Sequence, residues 1–516
     1  MTKRQTGYRL STAIALVIAA AAATAETVTL TSREGGVQIT GELVSYDGTS
    51  YVIDSILGRN RIDAAAVTCE GPGCPGDEIS FNATFAVIDQ PAASLLDSLL
   101  TGFARGRDLG LTRENAGASF AFDLTQGDDT EAGRIEASVL QQQSAFEALF
   151  AGDIDFLVST RPIDPDLAET FVERGFVDLR SSEYERVVAL DAIVPLVHPE
   201  NPVRAITLPE FGQIAAGRIT NWNELNGPDM PIRVILPEAD STIGGVFEDR
   251  IVRPNRLRVA REVERANEAD ARATVNADRT AITLASAALA AEARPVPVQL
   301  ACGPVALPNA FSVKSEEYPL TRRMVIYTSD RPLSPEAQEF LAYTTSAAAQ
   351  AQISDTGFVD QNVQAMPVAL QGTRLASAIL SMEGEAVINA TRALVENLAS
   401  AERLSTTFRF TAGSERLDNK ALRDIERMAD YLIDDGFNKR EILLFGFTDN
   451  VGRADLNQRL ALERAESVRQ AILASAGGQI APDQIRASSY GSIAPVGCNE
   501  TIEGRASNRR VEVWVR

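Results

Sequence analysis

Histidine is nearly missing from this chain of 516 residues: there is one, His198, directly before Pro199. A Ser-His-Asp triad or a His-rich metal centre would have to rest on that single ring, and a solvated loop histidine is the plainer reading. No Gly-x-Ser-x-Gly elbow is present either, so the sequence offers no recognisable nucleophile and the expectation is a protein that is not an enzyme. Cysteine is sparse, at four residues, and the irregular spacing without accompanying histidine argues against zinc; no metal or other cofactor is expected. Positive charge is in deficit, with 49 Lys and Arg against 70 Asp and Glu and a net charge of −21, which disfavours nucleic acid and anionic lipid as partners. Beyond the first 25 residues no apolar run is long enough to cross a bilayer.

What is present begins with a leader. Lys3, Arg4 and Arg9 precede a short apolar core over residues 10–23, and Ala23-Thr24-Ala25 is a small-residue cleavage site. This is the pattern of a secretory signal peptide cleaved after Ala25. No cysteine follows the cleavage point, so a lipid anchor is not expected, and the mature chain is placed in the periplasm or at the outer-membrane side of the envelope. In that oxidising setting an even number of cysteines points to disulfides. Cys69 and Cys74 enclose Glu-Gly-Pro-Gly, a turn that could bring them together; Cys302 and Cys498 would then form a bridge between domains.

The remaining chain reads as multidomain α/β. Residues 26–75 alternate with a period of two between turns at Gly35-Gly36, Asp47-Gly48 and Gly58, giving a small antiparallel β unit of accessory-barrel kind. Residues 76–365 mix strand runs with amphipathic helices as one two-lobed α/β domain. Residues 366–402, with Leu375, Ile379, Leu380 and Met382 followed by Val387, Ala390, Leu394 and Leu398, read as a helical connector. Residues 403–516 read as strand, helix, strand, helix, strand, strand: a βαβαββ mixed sheet.

Within the last segment, the apolar run Ile442-Leu443-Leu444 leads into Asp449, Asn450 and Gly452, which are turn residues, and then a helix whose Asn457 and Arg464 lie about two turns apart on one face. One carboxylate, one amide and one guanidinium at a strand-to-helix mouth suit a ligand with both an ammonium and a carboxylate. The motifs FTDNVG (447–452), NQRLALERAESV (457–468), YG (490–491) and EGRASNRRVEVW (503–514) resemble the OmpA-like peptidoglycan-binding domain over residues 403–516. That resemblance implies peptidoglycan as partner, with Asp449 taking the ammonium and Arg464 the carboxylate of a diaminopimelate residue, and Asn457 and Arg509 lining the pocket. Val451 and Gly413 depart from the fuller pattern.

Four stretches of the middle segment, GDIDFLVSTRPI (152–163), ALDAIVPLVHPENPV (189–203), LPEFGQIAAGRITNWNEL (208–225) and EEYPLTRRMVIYT (316–328), resemble periplasmic solute-binding proteins of the phosphate-binding type. The resemblance implies a two-lobed type II periplasmic-binding-protein-like fold and an oxyanion held by Ser159, Thr160, Arg161, Ser241 and Thr242. Two loops depart from it. Asp89-Gln90-Pro91-Ala92 stands where Gly with Ser or Thr is usual, and Pro237-Glu238-Ala239-Asp240 has lost an arginine and gained two acids. A like charge at ~4 Å costs an anion a few kcal/mol, so while the resemblance implies a small anionic or zwitterionic solute, the loops point away from phosphate, to a cationic or zwitterionic one or to a pocket that has lost its ligand. The leading expectation is a solute-binding protein tethered to peptidoglycan. The alternative is a structural protein that docks an envelope protein or transporter and takes no small ligand.

Overall fold

In β1 (Thr27–Ser32) Val28 and Leu30 are buried and their neighbours are not, and in β3 (Ser50–Ser55) Tyr51 and Ile53 repeat the pattern. This period of two is what a half-buried sheet demands. The computed structural model describes residues 27–33, 36–46, 50–71, 73–74, 81–127, 130–372, 385–398, 400–410, 413–414, 416–434 and 440–516. The leader, and the connector positions Leu375, Ile379, Leu380 and Met382, lie outside them. The chain divides into two units, Met1–Asp77 and Glu78–Arg516.

In the first unit β1, β2 (Gln38–Tyr46), β3, β4 (Gly58–Asp63) and β5 (Val67–Glu70) pair antiparallel in the order β4-β3-β2-β1-β5. Strands β4 and β5 are edges that do not pair with each other among the described residues, so hydrogen bonding does not close the expected barrel. The Cys69–Cys74 disulfide is present at the end of β5, with Cα atoms 5.8 Å apart.

The second unit begins with a lobe built from β6 (Ala83–Val87), α1 (Gln90–Gly106), β7 (Gly110–Ala116), β8 (Ser119–Thr125), β9 (Glu131–Val139), α2 (Gln142–Ala151), β10 (Phe156–Ser159) and α3 (Pro165–Glu173). The long β11 (Glu185–Val197) leads to a second lobe of β12 (Ile206–Thr207), α4 (Leu208–Ala215), β13 (Arg233–Pro237), α5 (Thr242–Phe247), β14 (Glu264–Ala266), α6 (Glu268–Ala277) and β15 (Ala281–Ser286). Short strands β16 (Arg294–Pro295), β17 (Val298–Gln299) and β18 (Val305–Ala306) and α7 (Ala310–Lys314) follow. Then β19 (Thr321–Tyr327) returns the chain to α8 (Pro335–Tyr343) and α9 (Ala347–Asp355) on the first lobe. Both lobes share one sheet because β11 pairs β19 through residue 192 and β15 from residue 193 onward. Parallel pairs β6–β9, β6–β10, β13–β14 and β13–β15 carry the helices on the sheet faces, as parallel strands require. In α1, Leu95, Leu96, Leu99, Leu100 and Phe103 form the buried face that their spacing predicts.

The C-terminal part comprises β20 (Ala365–Pro367), α10 (Glu385–Leu398), β21 (Glu402–Arg409), α11 (Asn419–Asp434), β22 (Ile442–Phe447), α12 (Ala454–Ser475), β23 (Ile485–Gly491), α13 (Ile502–Asn508) and β24 (Arg510–Val515). Its sheet runs β20-β21-β24-β22-β23. Strand β20 and helix α13 are additions to the βαβαββ pattern that the sequence predicts. The connector also differs from a free spacer: Leu394 and Leu398 of α10 are buried against Leu443, Phe445, Tyr490 and Trp514. Helix α12 approaches β22 so closely that a Cβ on Gly446 would lie 2.0 Å from the Ala461 carbonyl oxygen, which excludes any other residue there. The Cys302–Cys498 disulfide ties this part to the second lobe, with Cα atoms 5.5 Å apart.

Candidate functional site

Strand β22 ends at the sheet edge facing the last turns of the chain, and Thr448 N–H bonds the Gly491 carbonyl to fix the exit. Asp449 follows. Its Oδ1 accepts from Val451 N–H at 3.1 Å, which forms the turn, and Gly452 completes it at φ +97°, a conformation that favours glycine. Asn457, in the first turns of α12, donates to the carbonyls of Val451 at 3.0 Å and Asp449 at 3.3 Å, locking that turn onto the helix. Arg509 enters from the other side, with Nη1 2.8 Å from Asp449 Oδ2 and Nε 3.1 Å from the Phe410 carbonyl. Arg464 is buried; its Nε donates to Ser414 O at 2.9 Å and its guanidinium lies 5.0 Å from the Phe410 ring centroid. Phe410 therefore holds both arginines, one by its backbone and one by its ring. Asp449, Asn457 and Arg509 form one hydrogen-bonded group, and Arg464 stands two turns further along α12.

The rim is made by the tail. Buried Asn508 donates to Gly497 O at 2.8 Å and accepts from the N–H groups of Val496 and Gly497, which orders the loop holding Cys498. Helix α13 carries Arg509 as its C-cap, so the EGRASNRR stretch is a short helix that aims one arginine at Asp449 rather than a plain turn.

A second cluster lies between the lobes. Thr160 follows β10 on the first lobe and Thr242 opens α5 on the second, and both hydroxyls donate to Asp89 Oδ2. Asp89 is also the N-cap of α1, with Oδ1 accepting from Ala92 N–H at 3.0 Å. Arg322, buried on β19, is clamped by Asp191 of β11 at 2.7 and 2.9 Å. Glu268 accepts from Ser286 N–H at 2.8 Å; burial raises its carboxyl above the ordinary range, against the pull of Arg322. Arg161 reaches toward α5, its Nη1 3.5 Å from where a Cβ on Gly245 would sit. The other two residues expected here serve the backbone. Ser159 donates to Arg161 O at 2.6 Å, and Ser241 caps α5 and donates to Glu238 O at 2.6 Å. Sequence reasoning misses Asp191 and Arg322, although an acid inside the apolar run of β11 and an arginine at an inward position of β19 are both groups that burial forces into a pair. His198 is a loop residue whose Nδ1 accepts from Glu200 N–H at 3.1 Å.

Comparison with known proteins finds matches to two parts of the chain. Residues 130–348 match the PBP superfamily domain and residues 409–509 match the OmpA family. The chain is 31% identical over 118 residues to outer membrane porin F of Pseudomonas aeruginosa, covering 23% of this chain and 33% of that protein. It is 39% identical over 74 residues to the peptidoglycan-binding protein ArfA of Mycobacterium tuberculosis, covering 14% of this chain and 22% of that one. The chain thus spans about a third or less of the length of these relatives. An ABC-type phosphate transport receptor from Vibrio cholerae superposes with a TM-score of 0.39 at 19% identity, covering 54% of this chain and 99% of that one.

Proposed function

From a chain that joins a PBP superfamily domain to an OmpA domain, we propose an exported envelope protein held non-covalently to peptidoglycan by its C-terminal part. The observation that carries this is the mouth between β22 and α12, where Asp449, Asn457 and Arg509 meet on a fixed turn and Arg464 stands two turns along the helix, over the Phe410 ring. A carboxylate beside guanidinium groups recognises a zwitterionic amino-acid head, as in diaminopimelate of the stem peptide. Asp449 receives the ammonium and Arg464 the carboxylate. Arg509, 2.8 Å from Asp449, holds that carboxylate in its orientation. The relative named as a peptidoglycan-binding protein supports the assignment. No helix among the described residues is long and apolar enough to cross a membrane. Sedimentation with purified peptidoglycan tests the reading: the native chain should co-sediment, and Asp449→Asn and Arg464→Ala should not. Unchanged retention in both variants would remove the site from consideration.

For the two-lobed domain the contacts across the cleft bear on the choice between solute capture and partner docking. Asp89 bridges the lobes through Thr160 and Thr242, and Arg272 adds a second link to Gln90 at 3.2 Å. A cleft joined by its own side chains favours a docking domain, with an envelope protein or transporter as partner, over capture of a small oxyanion. Neither reading involves a catalytic step.

A further inference from the structure

Donors from both lobes of the PBP-like domain aim at one carboxylate. The hydroxyls of Thr160 and Thr242, from segments 71 and 153 residues away, both end on Asp89 Oδ2. Arg322 Nη1, on the strand common to both lobes, stands 3.8 Å from the same oxygen. That nitrogen makes no hydrogen bond among the described residues, although the side chain is only 5% exposed. The first-turn N–H of Ala92, in the 17-residue α1, goes to the other carboxylate oxygen at 3.0 Å. Hydroxyls, a guanidinium and a helix N-terminal N–H make up the donor set that replaces water around an oxyanion. An aspartate that only capped α1 would need Oδ1 and would leave Oδ2 to solvent. Here Oδ2 is where the other donors converge.

We propose that Asp89 is a built-in anion: its carboxylate fills the oxyanion seat of the two-lobed domain, joins the lobes without any solute, and excludes phosphate-class ligands from the native chain. An internal ligand competes at a high effective concentration because it is tethered to the seat. A free phosphate must displace it and then lie beside its charge and beside Asp191, which Arg322 already neutralises at 2.7 Å. Pro91, with no N–H, removes one further donor from the first turn of α1. This inference deepens the docking reading and rests on the two-lobed fold. It is independent of peptidoglycan retention, so either can fail without the other.

The test is titration of the full mature protein with inorganic phosphate, followed by calorimetry and by thermal unfolding. The native chain should give no saturable heat and no rise in Tm. Asp89→Ser and Asp89→Gly, which both still cap a helix, should each gain about tenfold or more in phosphate affinity over the native chain. Adding Thr242→Val to Asp89→Ser should abolish the gain. Sedimentation of Asp89→Ser with peptidoglycan should match the native chain. A phosphate-induced rise in Tm of the native protein overturns the proposal by itself, whatever the variants do. So does a folded Asp89→Ser or Asp89→Gly variant that binds phosphate no better than the native chain.

Discussion

Arg403 of β21 lies beyond the reach of solvent and directs its guanidinium out of its own sheet onto Glu317 of the two-lobed domain, with Nη1 3.2 Å from Oε2. Its Nε stays 3.6 Å from Glu512 of β24. One arginine is thus divided between an acid of each domain. The same boundary is crossed by Arg323 and Asp418 at 2.8 Å, by Arg427 and Gln361 at 2.9 Å, and by the Cys302–Cys498 bridge. The anchor and the two-lobed domain are therefore locked together by charge and by a covalent bond, not hung on a flexible tether.

Replacing Arg403 with Met should expose the weight of that division. Glu512 would keep Arg510 at 2.6 Å, but Glu317 would lose the buried guanidinium it faces, and breaking a buried pair from one side typically costs ~3–5 kcal/mol. The expected result is a loss of about 3 kcal/mol in urea unfolding. The further change Glu317→Leu in the Arg403→Met background should restore part of the loss, because the stranded charge is then removed as well. A loss below about 1 kcal/mol in the single variant would mean that solvent screens the pair.

Glu316 gives the interface a pH dependence with a definite sign. Burial works against its charge, but Arg323, Lys420 and Arg409 outweigh that and hold its carboxyl down to about 2, from an ordinary value of 4.5. Its contact with Arg409 at 3.7 Å crosses between the two domains, and its contact with Arg323 at 2.7 Å holds it in place within the two-lobed domain. A carboxyl depressed by folding stabilises above its unfolded pKa, and the contribution fades as pH falls from about 4.5 toward 2. It should amount to roughly 3 kcal/mol at neutral pH, since a tenfold change in proton affinity between the folded and unfolded chains is worth about 1.4 kcal/mol. Acid titration of stability by circular dichroism should show the native chain losing this between those limits. Glu316→Gln should start lower and vary less over the same range.

Much of this architecture is legible because burial imposes periods on the sequence. The apolar run ending in Phe447 and the spacing of Ala461, Ala465, Val468 and Ile472 mark β22 and α12, and all four helix positions are buried. Strand β20 is not legible: three residues ending in Pro367 are too short to show a period. Helix α13 is hidden by Gly504, which looks like a turn residue; a Cβ there would meet the Cys498 carbonyl oxygen at 2.1 Å, so the glycine is fixed by packing. At the cleft, the sequence shows Asp89 only as a charge that repels an anion. Its contacts with Thr160 and Thr242 cannot be read there, because both hydroxyls reach it only through the fold. The pairing of Cys302 with Cys498, by contrast, follows from the count of four once Cys69 and Cys74 are joined, and the fold brings the two together across 196 residues.

Asn457 offers the finest dissection of the anchor. Its amide donates to two neutral groups, the carbonyls of Val451 and Asp449, and so sets the direction of the Asp449 carboxylate. Removing it should loosen that direction while leaving every charge of the site in place. A neutral hydrogen bond contributes about 1 kcal/mol to stability, so Asn457→Ala should unfold at nearly the native urea concentration. Retention on peptidoglycan should fall about tenfold, because a misdirected carboxylate no longer meets the ammonium in register with Arg464. Asn457→Asp should be worse than Asn457→Ala, since it places an acceptor against two carbonyls and a second negative charge beside Asp449. If Asn457→Ala retains native binding, the turn is held by Val451 N–H and Arg509 alone, and the positioning role passes to Arg509.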